Sequence, residues 1–212
     1  MPQPEILIVG LGNPGVEYKH TPHNLGFLVI DQSAERNGGI RVNRPEAKAF
    51  TGLGLIGKRA AVLAKPQTFM NLSGPSVKGL LDKYTLTPAS LIVVYDEMDL
   101  PWTAVRIKKS GSAAGHNGMK SLIGALGTDN FIRVRMGIDS EPRPSGSGPN
   151  SDRRVHRGPS LVLGRFRPSQ AKDVEELLSY TAEAVESIVA EGVEKAMTKF
   201  NRRAQGLKEE ER

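Results

Sequence analysis

Two short doublets, His23-Asn24 and His116-Asn117, set an imidazole beside a carboxamide at distant points of one chain. Asn13, Asn71 and Asp96 add three polar side chains, each next to an apolar run. A neutral imidazole oriented by a carboxylate can take a proton from water, while carboxamides donate hydrogen bonds to a developing oxyanion. Those parts suit water-mediated acyl transfer. Other chemistries lack their residues. The chain has no cysteine, no G-x-S-x-G and no H-E-x-x-H, and His20 with His23 at i, i+3 lacks obvious further ligands. Neither a metal nor a cofactor is expected.

A second pattern competes for attention. In VGLGNPGVEY, Gly10, Gly12 and Gly15 satisfy G-x-G-x-x-G, a fingerprint of dinucleotide-binding turns. Such a turn leads straight into a helix whose amides meet the pyrophosphate. Here Pro14 removes one amide, and Val16 to Pro22 intervene before apolar periodicity resumes. Asp31 stands near the acidic position a ribose would need, so the nucleotide reading stays open beside that of a tight turn presenting Asn13.

The elements that must position these residues alternate. Ile6 to Val9, Ala61 to Ala64 and Leu91 to Tyr95 are apolar runs of strand length, uniform enough to be buried on both faces. Ala104 to Lys109 and Ile132 to Ile138 read as further strands. Helical spacing follows Asn24 (Phe27, Ile30, Ala34), Ser73 (Val77, Leu80, Leu81, Tyr84) and Asn117 (Met119, Leu122, Ile123, Leu126), where Gly127 is a C-terminal cap. A long helix starts near Ser169, with Val174, Leu177, Leu178, Thr181, Val185 and Ile188 on one face. The expectation is a single α/β domain over residues 1–205, a twisted mixed, mostly parallel sheet with helices on both faces. Asn13, Asn71 and Asp96 then fall outside strand carboxyl ends and converge on one crevice. His23 and His116 fall at helix starts, where the dipole favours the neutral ring.

Composition bounds the setting. The 212 residues carry 29 Lys and Arg against 23 Asp and Glu, a formal net charge of +6. With a pI near 9.6 this favours a polyanionic partner such as nucleic acid. No apolar run is long enough for a membrane span and MPQPEILIVG lacks the features of a signal peptide, so a cytoplasmic monomer without membrane contact is expected. Residues 140–158, rich in Pro, Gly, Ser and Arg, read as a mobile loop, and 206–212 as a charged tail.

The motifs VGLGNPGVEY, HTPHNLG, KPQTFMNLSG, VVYDEMDLP, KKSGSAAGHNG and FIRVRMGI, in this order, resemble those of the bacterial-type peptidyl-tRNA hydrolases. The resemblance covers about residues 5–138, with further support near Leu161. It implies a metal-independent hydrolase that frees tRNA from peptidyl-tRNA released by the ribosome, with His23 as base and Asp96 as its orienting carboxylate. It further implies that Asn13, Asn71 and Asn117 hold the peptide and the carbonyl, and that Tyr18, Met70 and His116 line the crevice. Lys108 and Arg135 match a basic pair for tRNA phosphates. Pro22 departs from the family, which more often has Arg there; Lys19 and His20 lie close by.

Plainer roles exist for the same residues. Asn71 and Asn117 could be helix caps, Asp96 a cap or a lysine partner, Lys108 and Arg135 a solvated strand edge, and Tyr18 and Met70 packing groups. A non-catalytic RNA-binding protein on the same scaffold is the rival function. A nucleotide-dependent oxidoreductase is the third reading.

Overall fold

The run ILIVG forms β1 (Ile6–Gly10), buried at every residue. Successive side chains of a strand point to opposite faces, so Ile6 and Ile8 enter one core while Leu7 and Val9 enter another. Both faces therefore need a helical cover. The computed structural model, which describes residues 2–139 and 162–201, supplies it. The loop expected over 140–158, the boundary at 205 and the tail at 206–212 lie outside the described residues.

After β1 come α1 (Leu25–Arg36), β2 (Arg44–Glu46), β3 (Ala49–Ile56), β4 (Arg59–Pro66), α2 (Ser73–Tyr84), β5 (Leu91–Pro101), β6 (Val105–Lys108), α3 (Asn117–Leu126), β7 (Ile132–Asp139), α4 (Ala171–Glu191) and α5 (Val193–Phe200). Among the described residues seven strands form one sheet in the order β2-β3-β4-β1-β5-β7-β6. Its centre is parallel, β4, β1, β5 and β7, and its borders β2, β3 and β6 are antiparallel. Apolar residues of α1, α4 and α5, among them Leu25, Val29, Leu177, Val185 and Phe200, cover one face. Val77, Leu80 and Leu81 of α2 with Met119 and Leu122 of α3 cover the other. This is a single-domain α/β fold with a mixed, mostly parallel sheet.

The main departures from the sequence reading are in β5, the C-terminal helix and the β2–β3 hairpin. Strand β5 does not end at Tyr95 but continues to Pro101 by pairing with β7, so Asp96 lies within a strand. The C-terminal helix starts at Ala171, and Gly192, at φ 90°, separates α4 from α5. The hairpin β2–β3 carries no period that sequence could reveal. Ala47 and Lys48 both take positive φ in its two-residue turn, a conformation usually signalled by Asn-Gly. Gly52 and Gly54 interrupt the alternation of β3 because Ile40 and the Arg41 carbonyl lie against them. Buried Glu46 ties this hairpin to α2. It accepts from Thr51 (2.6 Å), from Lys83 (2.9 Å) and from the hydroxyl of Tyr84.

Candidate active site

The glycines of the first motif serve close packing. A Cβ on Gly10 would stand 2.1 Å from the Gly26 carbonyl oxygen, and one on Gly12 would stand 2.7 Å from the Phe27 ring. The first turn of α1 thus lies directly on the carboxyl end of β1, bringing His23-Asn24 to Asn13. Pro22 opens the short 3-10 turn Pro22–Asn24 before α1, a position where a missing N–H costs nothing. Lys19 and His20 are exposed beside it.

His23 and His116 meet at Asp96, which is 1% exposed. His23 Nδ1 lies 2.9 and 3.0 Å from the two Asp96 carboxylate oxygens, and His116 Nε2 lies 3.2 Å from Oδ1. Burial opposes ionisation of Asp96, but the two imidazoles facing it prevail and hold its carboxyl well below the usual range. An ionised carboxylate only accepts hydrogen bonds, so both imidazoles donate to it. The proton positions follow from this network. His23 carries its proton on Nδ1, leaving Nε2 with a free lone pair. His116 carries its own on Nε2, and its Nδ1 accepts the Met119 N–H as the N-cap of α3. The Tyr95 ring meets His116 edge-on at 5.0 Å.

The ligand atoms of His23, Asp96 and His116 lie within 4.8 Å of one another, close enough to be tested as a cation site. Coordination through His116 Nε2 would force its proton onto Nδ1, against the Met119 N–H donor. The hydrogen bonding therefore fits a proton-transfer site better than a metal site.

Asn13, 7% exposed, is held on three sides. Its Oδ1 accepts the Met70 N–H at 2.9 Å, which fixes the carboxamide flip and leaves Nδ2 as the donor for a ligand. Its backbone N–H and carbonyl are both engaged by Asn24. Met70 is a floor residue, buried and packed with Leu11 and Met119. Asn71, in the 3-10 turn Met70–Leu72, and Asn117, the first residue of α3, are exposed. Neither caps a helix: α3 is capped by His116, and α2 opens from Leu72 without a side-chain cap. Tyr18 is half-buried in the turn after Asn13, its carbonyl accepting from the Thr21 hydroxyl at 2.9 Å.

The two expected phosphate contacts differ. Lys108 is exposed at the end of β6. Arg135 gives Nε and Nη2 to Glu97 Oε2 at 3.1 and 2.8 Å, and its side chain is 12% exposed. Arg133, two residues earlier, points its charge inward. It donates to the carbonyls of Ser112 (2.7 Å) and Asp129 (3.0 Å) and lies over the Phe131 ring. Sequence reading missed Glu97 and Arg133; it singled out Asn24 only as the partner of His23 in a repeated doublet and not as the partner of Asn13.

Comparison with known proteins places the chain in a family. The family model described as "Peptidyl-tRNA hydrolase" matches residues 7–209. The chain is 51% identical over 205 residues to the peptidyl-tRNA hydrolase of Solibacter usitatus, covering 97% of this chain and 98% of that one. It is 47% identical over 198 residues to that of Koribacter versatilis, covering 93% and 92%. The crystal structure of peptidyl-tRNA hydrolase from Acinetobacter baumannii is similar with a TM-score of 0.79 at 32% identity, covering 95% of this chain and 97% of that one. The chain belongs to the peptidyl-tRNA hydrolase family.

Proposed function

We propose that this protein hydrolyses the ester between a peptide and the terminal ribose of tRNA, with His23 as the general base. The observation that carries the reading is the locked tautomer of His23: Nδ1–H is committed to Asp96, so Nε2 is the basic atom. Its side chain keeps 11% exposure. Nε2 takes a proton as the water oxygen attacks the ester carbonyl. The tetrahedral oxyanion accepts from Asn13 Nδ2. Collapse breaks the bond to the ribose oxygen, which recovers the proton from the imidazolium, leaving a free peptide carboxyl and a tRNA hydroxyl.

Asn71 and Asn117, both exposed, hold the peptide, with Tyr18, Met70 and His116 as the lining of the crevice. Lys108 and Arg135 meet tRNA phosphates. No described helix is long and apolar enough to cross a membrane; the reading is of a cytoplasmic monomer whose nucleic-acid partner is its substrate.

The test is turnover of N-acetyl-aminoacyl-tRNA against the same tRNA with a free α-amino group. The Asn-lined crevice accepts an amide, whereas an ammonium would be desolvated without a partner, so the blocked substrate should react far faster. His23→Asn should lower kcat by roughly 10²–10⁴-fold with tRNA affinity nearly unchanged. Tight binding of both tRNAs with cleavage of neither would overturn the hydrolase reading.

A further inference from the structure

Asn24 occupies the N-cap of α1, where an Asn side chain ordinarily accepts a hydrogen bond from the first turn. It makes no such bond. Its carboxamide turns away to Asn13, eleven residues earlier: Oδ1 accepts the Asn13 N–H at 2.9 Å and Nδ2 donates to the Asn13 carbonyl at 3.0 Å. The clasp is buried, Asn24 being 3% exposed. By contrast His116, in the same place on α3, does cap its helix. A residue suited to stabilising its own helix is instead committed to the backbone of a residue in the crevice.

We propose that Asn24 is a positioning residue for the hydrolytic reaction, setting the backbone of Asn13 so that the Asn13 carboxamide meets the ester carbonyl. The proposal rests on the reading of Asn13 as a substrate contact. The Asn13 side chain has only two rotatable bonds between its backbone and Nδ2. Of its hydrogen bonds, one to Met70 sets the flip and two to Asn24 set the origin. Because Asn24 follows His23 directly, one clasp also fixes how far the base stands from the polarising amide. Displacing such a group by an ångström costs about 100-fold in rate.

A double-mutant cycle on kcat, measured in single turnovers of N-acetyl-aminoacyl-tRNA well below Tm, tests this. Asn24→Ala should lower the rate roughly 10- to 100-fold in the wild-type background. In the Asn13→Ala background the same change should cost less than about twofold, because its only route to the reaction is gone. The acid limb of the pH profile should keep its midpoint in Asn24→Ala. Asn24→Asp preserves the acceptor for Asn13 N–H and loses the donor to its carbonyl; it should lower Tm, because it buries a carboxylate, and still lose rate at a temperature where circular dichroism shows it folded. Equal losses in both backgrounds, a limb that moves in Asn24→Ala, or wild-type rates in both Asn24 variants would each overturn the proposal. Asn13→Ala alone tests the underlying reading: a wild-type rate there removes Asn13 from the site, and the positioning role with it.

Discussion

His116 binds Asp96 through Nε2 and caps helix α3 through Nδ1, so one ring couples the orienting carboxylate to the start of a helix. Asp96 keeps its charge in a buried place because two N–H donors oppose its desolvation. His116→Ala removes one of them, and the Asp96 carboxyl should then protonate at higher pH. A protonated Asp96 no longer holds the His23 tautomer, so the acid limb of kcat should move upward. Loss of the cap should cost about 0.5–2 kcal/mol of stability. A pH–rate profile identical to wild type would show that His23 alone keeps Asp96 ionised.

Lys108 and Arg135 should separate in a salt titration of tRNA binding. Lys108 is exposed, so Lys108→Ala should reduce the log–log slope by about 0.9 for a duplex contact or 0.7 for a single strand, with no change in Tm. Arg135→Ala also strands Glu97, whose side chain is 4% exposed, at a cost of roughly 3–5 kcal/mol. Adding Glu97→Gln should restore most of that stability without restoring the slope. If Arg135→Ala melts like wild type, the Glu97 pair is not holding the sheet face together.

Glu46 should make the fold sensitive to acid. Burial resists its ionisation, but hydrogen bonds from Thr51, Tyr84 and Lys83 and the charge of Arg44 outweigh it and lower its pKa from 4.5 to about 2. A depressed carboxyl contributes stability that is complete above the unfolded value and is lost as pH falls from about 4.5 toward about 2. Glu46→Gln should therefore cost roughly 1–3 kcal/mol at neutral pH, with the difference from wild type shrinking across that window. Burial, then the same carboxylate, push the Tyr84 hydroxyl up to about 12. Its contribution is complete below pH 10 and fades as pH rises toward 12. Chemical denaturation at several pH values measures both; a difference independent of pH would refute the assignment.

What could be read from the chain follows from how each element is held. Strands β1, β4, β5 and β7 are buried on both faces, and their apolar runs announce them. Helices α1 to α3 show their covering faces as 3.6-residue spacing. The meeting of Asn13 with Met70 follows from the carboxyl ends of the parallel strands β1 and β4, whereas Asp96 reaches both imidazoles from within β5, which sequence reading ended too early; the placing of both His-Asn doublets follows from helix starts. The β2–β3 hairpin stayed hidden because its turn is Ala47-Lys48 and its packing partner is Ile40, a tertiary neighbour that local pattern cannot express. Glu97 acts through a partner 38 residues away and Arg133 through backbone carbonyls, so their roles leave no trace in spacing; the doublet marks Asn24, but not its clasp on Asn13 eleven residues earlier. The two arginines of RVR share one face of β7 and look alike in sequence, yet Arg133 is 1% exposed and donates to backbone carbonyls, whereas Arg135 pairs with Glu97.

Two glycine-to-alanine substitutions separate close packing from mere flexibility. At Gly10 a methyl group would meet the Gly26 carbonyl carbon at 2.4 Å as well as its oxygen, and these are backbone atoms that cannot turn aside. Gly10→Ala must push α1 off β1, so Tm should fall and kcat should fall with it, since His23 and Asn24 sit at the start of that helix. At Gly124, inside α3, the added methyl group meets nothing within 4 Å. Gly124→Ala should stabilise the protein by roughly 0.5–1 kcal/mol, raising Tm by roughly 1–4 °C with activity unchanged. NADH at millimolar concentration should leave the wild-type Tm in place, because a ligand that binds only the folded state raises it. A wild-type Tm and kcat in Gly10→Ala would mean that α1 tolerates a shifted seat. A rise in Tm with NADH would return the first motif to the dinucleotide reading.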